Sequence, residues 1–175
     1  MRKLYCILII GLMFVSGCVF STRSLVVGGA SSIYVPVFEN DTYQPDKTDK
    51  TFKRNIENVV SDEIIRQFLI DGSVKIMPKE LADLMLEGII TRYRKTPLTY
   101  SSTNLDIVEE YKIDIQVKLK LIDLRNNNVI WKDVLISRSE DYYVGGSTIE
   151  TEDSALYQAA EDLAKDIIVQ IVEAW

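Results

Sequence analysis

Residues 109–133 read EEYKIDIQVKLKLIDLRNNNVIWKD, and within them Tyr111, Ile113, Ile115, Val117, Leu119 and Leu121 alternate strictly with Lys112, Asp114, Gln116, Lys118 and Lys120. A period of two places all the apolar side chains on one face and all the polar ones on the other. This is a strand with one buried face and one wet face, which is the pattern of an antiparallel sheet covered on one side only. The run Arg125-Asn126-Asn127-Asn128 supplies a hairpin turn, and Val129 to Ser137 forms the returning strand, with Trp131 as a core or hairpin anchor.

The neighbours on either side build a layered domain around that hairpin. Upstream, Leu84 to about Tyr93 is expected as a strand, with Gly88 as a close-packing point or bulge, and Thr96 to Leu105 as a loop. Further back, Phe52, Ile56, Val59, Val60, Ile64 and Phe68 share one helical stripe over about 50–70. Thr51 or Asp49 can cap this helix and Asp71-Gly72 ends it, before a short strand SVKIM at 73–77. SIYVPVF (32–38) reads as a first strand, with Pro36 favouring an edge, and ENDTYQPDKTD (39–49) as a loop. Downstream, Tyr142-Tyr143-Val144-Gly145-Gly146 is expected as a loop. A last helix runs from about Thr151 to Ala174, with Leu156, Ala159, Ala160, Leu163, Ile167 and Ile171 facing inward. The expected fold is therefore α+β: a two-layer sandwich with two helices packed on one face of a mixed four- to five-stranded sheet.

Composition narrows the chemistry. The chain has 175 residues, a formal net charge of −6 and no histidine. The first 18 residues hold Arg2 and Lys3 and no acids, so the remainder carries −8. An acidic body lacks the dominant basic field that nucleic acid requires, so no nucleic-acid partner is expected. The absence of histidine removes the commonest general base and metal ligand, along with any Ser-His or Cys-His nucleophile. The cysteines are Cys6 and Cys18, too few for a zinc-type cluster, and Val27-Gly28-Gly29 matches no phosphate-loop pattern. No catalytic residue, metal or cofactor is expected.

The N-terminus explains the second cysteine. Arg2-Lys3 precede an apolar stretch, Leu4 to Val15, that is shorter than the ~20 residues of a membrane-spanning helix. Val15-Ser16-Gly17-Cys18 resembles the bacterial lipobox, in which small residues open the bond to a peptidase and the thiol of the new first residue carries lipid. Residues 1–17 are then a lipoprotein signal peptide, 18–31 a lipidated tether and 32–175 a single domain. Two or three acyl chains give near-permanent anchoring, and Val19-Phe20 after the cysteine, with no Asp, points to the outer membrane. The tether of about 13 residues reaches at most ~45 Å.

With these segments placed, the chain after residue 31 resembles the lipopolysaccharide-assembly lipoprotein family (LptE). The pieces that carry the likeness are Cys18, IYVPVFENDTYQP (33–45), IIRQFLIDGSVKI (64–76), ADLMLEGIITRYRKTPLTY (82–100), the 109–133 stretch and ETEDSALYQAAEDLAKDIIVQIV (150–172). The family's usual GCGY start is replaced by Gly17-Cys18-Val19-Phe20. The resemblance implies a non-enzymatic subunit of the outer-membrane lipopolysaccharide translocon, lipid-anchored on the periplasmic side. Such a subunit plugs a large β-barrel partner (LptD-like), helps that barrel assemble and can bind lipopolysaccharide. It also implies two helices on a mixed sheet.

Three surface features are candidate contacts. Arg92, Arg94 and Lys95 form the densest basic spot and either meet lipopolysaccharide phosphates or are a solvated strand end. The family associates a basic residue in the following loop with lipopolysaccharide, but TPLTYSSTNLDI (96–107) has no Arg or Lys. Lys112, Lys118 and Lys120 are either a solvated face or a face turned to a barrel wall. Tyr142 and Tyr143 suit either a partner-binding loop or ordinary packing. The alternative function is a periplasmic lipoprotein module that activates a cell-wall synthase or forms part of a secretion pore. The short tether argues against a synthase activator, and a pore would need strands for a shared barrel.

Overall fold

The alternation at the centre of the sequence is realised in β5 (Val108–Asp123), where Ile113, Ile115, Val117, Leu119 and Leu121 are fully buried. The computed structural model describes residues 29–42, 53–145 and 150–172. In chain order these form β1 (Ser32–Tyr34), β2 (Glu39–Asn40), α1 (Ile56–Asp71), β3 (Lys75–Ile76), a 3-10 turn at Lys79–Leu81, β4 (Leu84–Tyr100), β5, β6 (Asn128–Tyr143) and α2 (Glu152–Val172).

The expected two-layer α+β fold is what forms: two helices on a mixed sheet. Its strands run β3-β1-β4-β5-β6, with the two-residue β2 pairing β4 as a sixth strand. β1 lies parallel to β3 and β4, and β4-β5-β6 are antiparallel. The helices supply the apolar stripes read from the sequence. Ile56, Val60, Ile64 and Phe68 of α1 are fully buried, as are Ala160, Leu163, Ile167 and Ile171 of α2. Burying the Val, Leu, Ile and Phe side chains among them stabilises by ~1.5–3 kcal/mol each and accounts for the layer packing.

Helix α1 begins at Ile56 rather than near residue 50, because Asn55 takes a left-handed conformation (φ 64°) that a helix cannot continue. Phe52, Thr51 and Asp49, assigned from the sequence to the stripe and the cap, lie outside the described residues. At the other end Gly72 (φ 68°) donates its N–H to the Phe68 carbonyl at 3.0 Å, the expected stop.

Two expected loops are strand instead. Thr96 to Tyr100 continues β4 because β5 offers a matching ladder, Thr96 opposite Lys112 and Pro97 opposite Tyr111. Tyr142 and Tyr143 end β6 opposite Tyr111 and Glu110. Trp131 is half-buried, packs on the core and stands opposite Leu121.

The connector between β1 and β2 is fastened by one buried hydroxyl. Ser61 Oγ accepts the Phe38 N–H at 2.8 Å and donates to the Glu57 carbonyl at 2.6 Å. Ser61→Ala leaves that buried N–H unpaired and is expected to cost about 1–2 kcal/mol in urea unfolding, with Ser61→Thr costing less. Equal stability of wild type and alanine variant would show that water reaches the Phe38 N–H.

Candidate functional site

The three long strands rise well past the helices. β4 spans 17 residues, roughly 55 Å of extended chain, whereas α2 starts beside Tyr93 and Lys95. Past the Tyr111–Tyr142 pair the ribbon narrows to β4 and β5, and from Leu98 to Ile107 all residues but Ser101 are exposed. Its tip is the turn joining β4 to β5, closed by Ser101 N–H to Ile107 O at 2.8 Å and Ile107 N–H to Asn104 O at 3.0 Å. Leu98 is 41% exposed, Tyr100 46%, Leu105 77% and Ile107 53%, so this end of the ribbon presents four large apolar side chains to solvent.

A register shift halfway up β4 decides where the basic residues point. Ile90 stands opposite Val117, but Arg92 stands opposite Gln116, so Thr91 is one residue more than the partner strand supplies. Such a bulge exchanges the faces of everything that follows. Below it Leu84, Leu86 and Ile90 are buried under the helices; above it Tyr93 takes that role. Alternation separates Lys95 from Arg94, so Arg92, Arg94 and Lys95 are not one basic patch, and the bulge sets which face each takes. Arg92 and Arg94 lie on the open face. Arg92 Nε is 2.9 Å from Asp114 Oδ1, while Arg94 is exposed and makes no ion pair among the described residues.

Lys95 turns to the helix side and belongs to a closed polar cluster. Its ammonium is 2.9 Å from Glu152 Oε2 and lies 4.2 Å from the centroid of the Tyr111 ring. Tyr111 in turn stacks on Tyr142 with centroids 5.7 Å apart. Glu152 Oε1 accepts from the Tyr93 hydroxyl at 2.8 Å and from Lys53 Nζ at 3.0 Å. Burial opposes ionisation of this carboxyl, yet the bonds from Lys95, Tyr93 and Lys53 outweigh it and hold its pKa at about 2. Burial and the bond to Glu152 push the Tyr93 hydroxyl well above its ordinary range. The cluster fastens the start of α2 and the segment before α1 to β4. Glu152 stays ionised and Tyr93 stays protonated across neutral pH, so neither exchanges a proton there.

Nothing local in the sequence singles out Glu152 beyond its place in the first turn of α2. Its partners lie 99, 59 and 57 positions away, so no local pattern reveals them. Tyr142 is 1% exposed and serves packing, and Tyr143 stands half-exposed at the strand end. On the open face Lys120 pairs with Glu87 at 2.9 Å and Lys112 with Asp141 at 3.5 Å. Cys18 lies outside the described residues. Among the described residues no cluster of metal-ligating side chains forms, and no helix is long and apolar enough to cross a membrane.

Comparison with known proteins bears on this geometry. A hypothetical protein of Chlamydia trachomatis superimposes with a TM-score of 0.57 at 14% identity, covering 83% of this chain and 99% of that one. A Xanthomonas campestris protein superimposes at 0.52 with 13% identity, covering 81% and 84%. At such identities the likeness is one of fold. No curated protein matches in sequence. Residues 30–171, nearly all of the folded region, match the LptE lipopolysaccharide-assembly family, and the chain belongs to that family.

Proposed function

We propose that the protein is an outer-membrane lipoprotein of the lipopolysaccharide translocon, acylated at Cys18 on the periplasmic side. In this role it plugs an LptD-type β-barrel, aids its assembly and binds lipopolysaccharide. The observation that carries the reading is the apolar tip on a ribbon that leads away from the anchored end. Ser32 stands beside Lys75 and Ile33 beside Leu84, so the tether joins where β4 begins, and Leu105 lies at the opposite end. A tether reaching at most ~45 Å cannot carry the domain past a ribbon of roughly 55 Å to bring the tip to the leaflet holding the lipid while the ribbon stands upright. A wide protein lumen, by contrast, receives a narrow ribbon end-on. Of the three basic residues only Arg94 is uncommitted, which makes it the cation available to a lipid phosphate.

Affinity purification of the full chain from detergent-extracted membranes tests this. The expected eluate holds one large β-barrel and lipopolysaccharide. Leu105→Glu with Ile107→Glu should lower the recovered barrel roughly tenfold or more, without changing the melting temperature, because both side chains are already exposed. Arg94→Ala should lower only the lipopolysaccharide. Recovery of undiminished barrel by the folded tip variant would remove the tip from the contact.

A further inference from the structure

Strand β6 closes the sheet at one side, so one row of its backbone groups faces away from β5. Tyr143 shows which row. Its carbonyl accepts the Glu150 N–H at 2.7 Å and its N–H donates to the Glu150 carboxylate at 3.2 Å, while the Val144 N–H turns inward to the Glu109 carbonyl at 2.9 Å. In an antiparallel pair both groups of a residue point the same way, and the direction alternates along the strand. The β5–β6 register is unbroken from Val134 to Tyr143. Counting back in twos, Asp141, Ser139, Ser137 and Leu135 present their N–H and C=O groups to the open edge.

Proteins usually guard such an edge, and here only its ends are guarded. Glu150 covers Tyr143, and a bulge with Asp133 at φ 57° breaks the ladder below Val134. Between them the edge row carries Asp141, which is held by Lys112 at 3.5 Å, two small serines and Leu135, which is 58% exposed, with no proline and no lysine.

The flank toward α2 selects charge. Arg138 is committed to Asp166 at 2.7 Å, and Lys165 to Glu161 and Asp162. Glu140 is half-buried and makes no ion pair among the described residues. Burial first, then the nearby carboxylates of Asp162, Asp141 and Glu150, raise its pKa. A cation brought beside it would relieve an unfavourable local field.

We propose that the β6 edge from Leu135 to Asp141 is a strand-addition site for an extended segment of a partner polypeptide that carries a Lys or Arg beside Glu140. Ladder hydrogen bonds supply the attraction and the cation supplies the selectivity. A second copy suits the edge poorly, since joining two β6 strands would bring the Asp162 flanks of both copies onto one face in a chain of net charge −6. The assignment stands whether or not the translocon role holds.

Amide hydrogen exchange on the full chain in detergent, with short synthetic peptides as probes, tests it. One peptide alternates Lys with Thr and Val; the other has Glu at every Lys position. The Lys peptide should slow exchange at Leu135, Ser137, Ser139 and Asp141 and bind about tenfold more tightly than the Glu peptide. Glu140→Gln should cut that preference about threefold. Ser137→Pro removes an outward N–H and no ladder bond, so it should abolish binding while the protein stays folded. If that variant fails to fold, the peptide preference and its loss in Glu140→Gln still decide. Equal binding of both peptides, protection elsewhere, or self-association of the chain that Ser137→Pro abolishes would overturn the assignment.

Discussion

Gly88→Ala is expected to destabilise the domain by about 2–3 kcal/mol. A methyl group added at Gly88 would overlap three carbons of the Phe38 ring, Cε2, Cδ2 and Cζ. Such contacts lie far inside van der Waals separation. Phe38 is 2% exposed and Gly88 lies in the middle of the β4–β5 ladder opposite Leu119, so neither has room to retreat. For a domain of this size the melting temperature should fall by roughly 5–10 °C. Phe38→Leu alone costs less because Leu fills part of the ring's space. In the Gly88→Ala background it should recover part of the loss, so the two changes couple in a double-mutant cycle. Loss below about 0.5 kcal/mol, or strict additivity, would mean that the ring swings aside freely.

Removing the carboxylate of Glu152 is expected to cost about as much. Glu152→Ala leaves the Lys53 and Lys95 ammonium groups without their shared anion and the Tyr93 hydroxyl without its acceptor. The Glu152 side chain is 29% exposed, so solvent screens part of the interaction, and about 2–3 kcal/mol at pH 7 is the expected loss. Because the folded pKa is about 2 against the ordinary 4.5, the stabilisation is complete above pH 4.5 and disappears as pH falls toward 2. Urea unfolding across that window should show the wild type losing stability more steeply than Glu152→Gln, the two curves converging at the acid end. A gap between them that stays constant from pH 7 to about 2.5 would show that the carboxylate contributes shape rather than charge.

What could and could not be read from the chain follows from the range of each interaction. The β5 alternation and the α2 stripe are periodic over many residues, and both elements formed as expected because burial enforces the period. Gly88 announced a close approach, but the ring responsible comes from Phe38, 50 positions away in the numbering. The bulge at Thr91 has no glycine to mark it; its trace in IITRYRKT is a change of phase, from Leu84, Leu86 and Ile90 on even positions to Tyr93 on an odd one, with Arg92 and Arg94 where apolar residues would otherwise continue. Strand alternation alone divides Lys95 from Arg92 and Arg94; the shift decides which side each takes, turning the two arginines to the open face and Lys95 to the helices. Thr96 to Tyr100 looked like a loop through Pro97 and its polar neighbours, yet the ladder with β5 holds it extended, with irregular register around Thr99. The tip could be named as a loop without a cation. Its exposed apolar character depends on how far the ribbon outruns the helices, which only the assembled fold determines.

The central claim is that the domain is held at its Ser32 end while the opposite tip enters a partner barrel. Photo-crosslinking in living cells addresses it directly, with the probe placed either at Leu105 on the tip or at Asn126 in the β5–β6 turn near the tethered end. The account predicts a covalent adduct with one large outer-membrane β-barrel from Leu105 and none from Asn126. Adducts from Asn126 with none from Leu105 would reverse the orientation and contradict it.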